Sequence, residues 1–234
     1  MLESFRALVN GRPDWAVMCA LPNPLLLAGL AVVVAVAAYF LGCSNGAIIV
    51  SKYILHNDVR AHGSGNAGLT NFHRTFGGGL TFVVILCDML KAVVAVLIGA
   101  WLMSSLDAWL LGKYWGALWC LLGHMFPFMF EFKGGKGILS GGTIALMIDW
   151  RIALVVWGGF LILVLLTRYV SLGSVWAGGS FPFISWYCCP NPIIVILAFL
   201  CGGLVVWQHR GNIQRLLKGT ERKLSFHKKK EDRP

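Results

Sequence analysis

Long apolar stretches separated by short polar ones run through most of this chain. The first, Leu25 to about Val50, is longer than a bilayer crossing needs and carries a polar break at Gly42, Cys43, Ser44, Asn45 and Gly46. The second runs from about Leu80 to Met103 and is interrupted by Asp88 and Lys91, which a helix places on one face, where they can neutralise each other while pointing inward. The third, roughly Tyr114 to Phe130, ends in GHMFPFMFEF. Ile138 to Ile148 follows, too short to cross at full thickness unless neighbours thin or tilt its path. After a turn at Asp149 and Arg151 come Ile152 to Thr167, Val170 to Tyr187 and Ile193 to Gln208. Lipid admits only structures that satisfy their own backbone, and the alternation of a barrel is absent. The pattern therefore predicts an all-α integral membrane protein, a seven-span helical bundle with one short span.

Composition agrees: 57% of residues are hydrophobic, 13% are charged, and mean hydropathy is +0.72. With most of its 234 residues in such runs, the chain has room for one membrane-embedded domain, 1–234, with a lead-in at 1–24 and a basic tail at 210–234. The lead-in carries Pro13, Pro22 and Pro24 and lacks the basic start and short apolar core of a cleavable signal. A formal charge of +10 would suit nucleic acid, yet Lys and Arg gather at helix ends and in the tail, which fits topology and anionic lipid headgroups better than a duplex. Placing the N-terminus outside puts Lys52, Arg60, Arg74, Lys133, Lys136, Arg168 and the tail cations on the cytoplasmic side. Arg6, Arg12, Lys113 and Arg151 then lie outside, and Lys91 lies within the membrane. The seven cysteines include no C-x-x-C pair and read as small apolar packing residues rather than a metal or disulfide framework.

The chemistry gathers in the polar connections. His62 to Gly77, HGSGNAGLTNFHRTFG, could be a solvated turn, but Gly63, Gly65 and Gly68 let backbone N–H groups converge into an anion nest, with Arg74 adding a charge-assisted pair of donors. Lys133, Gly134, Gly135, Lys136 and Gly137 form a second glycine-rich element with two point charges. His209 precedes Asn212 by three residues, so a continuing helix gives them one face at the membrane surface, although a capping histidine would also fit. The chosen topology brings all three to the cytoplasmic side.

Other motifs fail on context. Gly63, Gly65 and Gly68 spell the dinucleotide fingerprint, but no strand precedes them and Asp88 sits in a transmembrane run. Gly63 to Thr70 imitates a Walker A loop, but Leu69 stands where the lysine is needed. His227 and Asp232 match a His-x4-Asp acyltransferase pattern, but in a charged tail with nothing to build a pocket. His124 reads as a helix-end structural residue. No nucleophile set, carboxylate pair or metal-ligand cluster is evident, so the implied chemistry is electrostatic positioning of a phosphate-bearing substrate beside a lipid-accessible cavity, with no metal and no cofactor. A transporter of an organic phosphate is the competing expectation, favoured by the broken first span but not by three anion motifs on one face.

The ordered set GSGNAGLTNFHRTFG, CDMLKA, GHMFPFMFEFKGGKGI, RYVSLGS and HRGNIQRLLKGTERK closely resembles the bacterial acyl-phosphate:glycerol-3-phosphate acyltransferases, the PlsY family, from about Tyr39 to Lys223. The resemblance implies a seven-helix enzyme of the cytoplasmic membrane that uses acyl phosphate and glycerol 3-phosphate to make 1-acylglycerol 3-phosphate and phosphate, with membrane lipids around it, no nucleic acid and no obligate protein partner. It carries over Ser64, Asn66, Thr70, Asn71 and Arg74 in the first loop, the KGGKG element in the second, and His209 and Asn212 in the third. His209, Asn212 and Ser64 are the expected catalytic positions. Gly63, Gly65, Asn66, Gly68, Thr70, Asn71, Arg74 and Lys133 to Gly137 are the expected substrate-binding ones. The family's usual NPGATN is NAGLTN here, with Ala67 and Leu69 as departures, and its usual Gly-Ser-Ile-Pro-x-Gly is GCSNG.

Overall fold

A computed structural model describes residues 23–224. His227, Asp232, Arg6, Arg12, Cys19 and the lead-in prolines Pro13 and Pro22 lie outside them. Among the described residues every regular element is helical. Helix α1 (Pro24–Cys43) starts where Asn23 accepts from the Leu26 amide at 3.1 Å, with Pro24 in the first turn, where its missing N–H has no partner to lose. It stops at the expected break. Asn45 Oδ1 accepts from Ile48 N at 3.1 Å and so caps a new short helix, α2 (Gly46–Ile49), which runs into a π turn at Val50–Ile54. The polar side chain that ends one helix begins the next.

The chain continues through α3 (Leu69–Thr75), α4 (Leu80–Ser104), α5 (Trp109–Met125), α6 (Ile138–Ile148), α7 (Trp150–Thr167), α8 (Val170–Cys188), α9 (Pro192–Gln208) and α10 (Arg210–Leu217). A helix thus lies at each of the seven apolar segments. The third differs at both ends: it starts earlier, at Trp109, and ends at Met125 rather than Phe130. Pro127 follows, and Glu131 and Phe132 adopt left-handed conformations at φ 60° and 57°, so the helical path cannot continue. Asp149 turns the chain after α6 and accepts from Arg151 N at 2.7 Å to cap α7. Among the described residues three stretches, Pro24–Ile54, Leu80–Ser104 and Trp150–Thr167, are long and apolar enough to cross a membrane; the pair α9 and α10, bent by 56°, adds a fourth if it is one span.

Helix α5 packs on α4 and α1, α8 packs on α7 and α9, and α6 lies between these groups. Small residues set the distance. A Cβ on Gly99 of α4 would collide with the carbonyl of Gly112 on α5, and one on Gly112 with that of Gly99, so the two backbones touch. Lipid supplies no hydrophobic drive between helices, and such close backbone approach supplies dispersion instead. Large apolar side chains such as Trp101, Leu165 and Leu166 face outward, as an outer surface in lipid requires. The six described cysteines are free, with Cys43, Cys120 and Cys201 buried as packing residues.

Candidate active site

Asn71 closes the first loop. From the buried side of α3, Asn71 Oδ1 accepts from Ser64 N at 3.0 Å, while its Nδ2 donates to Val59 O at 3.1 Å and His62 O at 3.0 Å. Gly65 N donates to His62 O at 2.9 Å. The amides of Ser64 and Gly65 are therefore committed inside the loop, and Gly63 and Gly65, at positive φ of 60° and 69°, turn the chain. A Cβ at Gly63 would collide with Asn71 Oδ1, so the loop can close on its asparagine only because that position is glycine. Asn45 ties this loop to the break in the first span by donating from Nδ2 to Ala67 O at 3.0 Å.

The second loop uses its glycines for close packing. Gly134 N donates to Met125 O and Gly135 N to His124 O, both at 3.1 Å, so the loop folds back on the end of α5. Its lysines diverge. Lys133 is 72% exposed and pairs with Glu131 at 3.2 Å on the surface. Lys136 points inward and donates from Nζ to Asn212 Oδ1.

The third element bends at His209. The two side chains are nevertheless both buried, at 4% and 9% exposure. His209 Nδ1 lies 2.8 Å from Val205 O. A carbonyl oxygen can only accept, so Nδ1 carries the proton and Nε2 keeps a free lone pair. Asn212 Nδ2 donates to Glu221 Oε1 at 2.8 Å, and Arg215 Nε donates to Glu221 Oε2 at 2.6 Å. Leu224 N donates to Arg168 O at 2.7 Å, anchoring the segment that carries Glu221. Burial alone would raise the Glu221 carboxyl, but the bonds from Asn212 and Arg215 outweigh it and hold it below the usual carboxylate range. Burial pushes Lys136 down to about 8, helped by Arg215 and Arg210 and opposed by Glu221.

These elements surround one cavity of about 980 Å³. Ser64, Gly65, Asn66, Gly68, Thr70, Asn71, Arg74, Lys136, Gly137, His209 and Asn212 line it; Gly63, Lys133, Gly134 and Gly135 do not. Arg74, Arg210, Arg215 and Arg222 add cationic lining, and Trp157, Phe160 and Val170 form an apolar wall. A space with several fixed cations and one greasy wall can hold a phosphate beside an alkyl chain. Nothing in the sequence marks Glu221, in KGTERK, or Ser171 and Ser174 of RYVSLGS, although all three line the cavity. Asn45 stood out only as part of a break.

The family model described as "Glycerol-3-phosphate acyltransferase" matches residues 32–219, the stretch that holds all three elements. The chain belongs to the glycerol-3-phosphate acyltransferase family. Family members named glycerol-3-phosphate acyltransferase from Thermoanaerobacter sp. (strain X514) and Clostridioides difficile (strain 630) are each 39% identical. The first match covers 83% of this chain and 96% of the relative, the second 84% and 97%. Its fold is that of a family member solved by crystallography, PlsY (YgiH), an integral membrane glycerol 3-phosphate acyltransferase. The glycerol 3-phosphate form aligns at TM-score 0.75 and 32% identity, over 83% of this chain and 96% of that one. The lysophosphatidic acid form aligns at TM-score 0.72 and 31% identity, over 83% and 95%.

Proposed function

We infer that this protein transfers a fatty acyl group from acyl phosphate to the 1-hydroxyl of glycerol 3-phosphate, releasing 1-acylglycerol 3-phosphate and inorganic phosphate. The observation that carries the reading is the meeting of Arg74, Lys136, His209 and Asn212 around one cavity with an apolar wall, in a chain of this family. An acyl phosphate is a mixed anhydride and already activated, so orientation and charge neutralisation suffice without a protein nucleophile. Arg74 and Lys136 clamp phosphate oxygens. Ser64 and Thr70, on the exposed rim of the first loop, supply hydroxyl donors. Asn212, held by Lys136 and Glu221, fixes the far end of the acceptor.

The glycerol oxygen then attacks the acyl carbonyl carbon, a new C–O bond forms, and the bond from that carbon to the phosphate oxygen breaks. The hydroxyl proton passes to His209 Nε2 or to a phosphate oxygen. The acyl chain lies along Trp157, Phe160 and Val170 toward the bilayer. Lys133, paired with Glu131 on the surface, contributes general attraction for anions rather than contact.

In this reading residues 1–234 form one domain of seven spans in a bacterial cytoplasmic membrane, with the N-terminus outside and the cavity and tail on the cytoplasmic side. The charge asymmetry of Lys and Arg supports that orientation. The test is purified protein supplied with acyl phosphate and glycerol 3-phosphate, with lysophosphatidate and phosphate measured together. One phosphate per acyl product is expected. Arg74→Ala and His209→Ala should each lower kcat/KM by about 10²-fold or more. Folded variants with unchanged turnover would refute the site.

A further inference from the structure

The charged groups inside the bundle have no part in the reaction as described. Asp88 and Lys91 of α4 pair at 2.7 Å with side chains only 2% exposed, as their spacing suggests. Lys91 Nζ also donates to Gly42 O at 3.3 Å and Ser44 O at 3.1 Å, two carbonyls at the break of the first span. Asp88 Oδ1 accepts from Gly46 N at 3.3 Å on the other side of that break. This much is backbone repair, which an ion pair can perform in lipid.

His124 is what repair does not explain. Its Nδ1 lies 2.8 Å from Lys91 Nζ and 3.8 Å from Asp88 Oδ1. An ammonium has donors and no acceptor, so Nδ1 must accept in the shorter contact, and the ring proton is on Nε2. That nitrogen faces the second loop: a Cβ at Gly135 would collide with it and would also press on Ala67 O of the first loop. His124 and Asp88 both line the cavity that holds Arg74 and Lys136. A ring only 3% exposed, locked in one tautomer, thus presents an N–H at the floor where the two loops meet. A buried ion pair alone could be replaced by apolar packing; the histidine added to it leaves its far nitrogen with an N–H to donate.

We propose that His124 Nε2–H is a further substrate-binding donor, directed at a phosphate oxygen in the cavity, and that Lys91, anchored by Asp88, is the positioning residue that selects this tautomer. The proposal rests on the acyltransferase reading above. Both substrates carry phosphate, so steady-state kinetics with each varied in turn assigns the oxygen: a raised KM for glycerol 3-phosphate marks the acceptor, and one for acyl phosphate marks the donor.

His124→Leu should lower kcat/KM about 10²-fold. His124→Gln, whose amide carries an N–H at similar reach, should recover to within about tenfold of wild type. The proposal is overturned if His124→Leu stays within about threefold of wild type, or if Gln does no better than Leu. Lys91→Met can simply unfold, so the tautomer is read in the intact protein. In 15N-histidine-labelled wild type, with the His124 signals identified by their loss in His124→Gln, Nε2 should be protonated and Nδ1 bare. The Nε2 signal should shift when glycerol 3-phosphate or inorganic phosphate is added. A proton on Nδ1, or no shift with either anion, overturns it. If His124→Leu is fully active while Arg74→Ala and His209→Ala are not, only this proposal falls. If wild type makes no acylglycerol phosphate, the functional reading itself falls.

Discussion

Lys133 and Lys136 stand three residues apart in KGGKG and are equivalent by sequence, yet their surroundings predict very different losses. Lys133 is 72% exposed beside Glu131, where an ion pair is worth about 0–1 kcal/mol, and a charge so placed adds little to binding. Lys136 is half-buried, donates to Asn212 and lines the cavity. A charge-assisted bond to a phosphate oxygen there is worth roughly 1.5–3 kcal/mol, and removal of a preorganised donor lowers turnover by about 10²–10³-fold. Lys136→Met should therefore reduce kcat/KM about 10²-fold, and Lys133→Met less than about threefold.

Protonation adds a second readout. With its pKa lowered to about 8, Lys136 is a cation below that pH and neutral above it, so the phosphate clamp is present on the acid side and lost on the alkaline side. The kcat/KM of wild type, which reports the free enzyme, should fall about tenfold per pH unit above 8. Bound phosphate stabilises the ammonium, so the matching fall in kcat should come at higher pH. Lys136→Arg stays charged and should lose the alkaline limb even where its fit to the site is poorer. The assay is phosphate release from purified protein over the range in which acyl phosphate is stable, corrected for its uncatalysed hydrolysis. Equal losses in the two Met variants, or an alkaline limb retained in Lys136→Arg, would refute the assignment.

Two further substitutions test the scaffold. Asn71→Ala removes three hydrogen bonds that close the first loop, together worth about 3 kcal/mol, and amide exchange across residues 59–68 should accelerate while the helices keep their protection. Gly135→Ala places a methyl against the His124 ring and Ala67 O, so thermal stability should fall and turnover should drop more than about tenfold as the loops separate; wild-type values for both would contradict the close packing described.

The helical membrane class, the seven apolar segments, the break at Gly42 to Gly46 and the inward Asp88 and Lys91 pair were legible along the chain. Each depends on local periodicity or on the cost of leaving a backbone group or a charge unpaired in lipid, and neighbours in sequence reveal both. The three polar elements that reach the cavity were legible too, the glycine loops among them as candidate nests of amides. In the folded chain the amides of Ser64, Gly65, Gly134 and Gly135 bond within the protein, and Gly63, Gly65, Gly134 and Gly135 serve tight turning and close approach. Sequence cannot distinguish these uses, because both ask only for the absence of a Cβ.

What the tertiary structure alone decided is which side chains share the cavity. It turned Lys136 inward and Lys133 outward, brought Glu221 from the tail onto Asn212, and set His124 against Lys91 from a different helix. These contacts join residues from 9 to 76 positions apart, and their partners are chosen by the approach of α5 to α4 and by the fold of the last segment over the cavity. No period in the chain encodes such approaches; they follow from where small residues let helices touch and where a buried charge finds its partner.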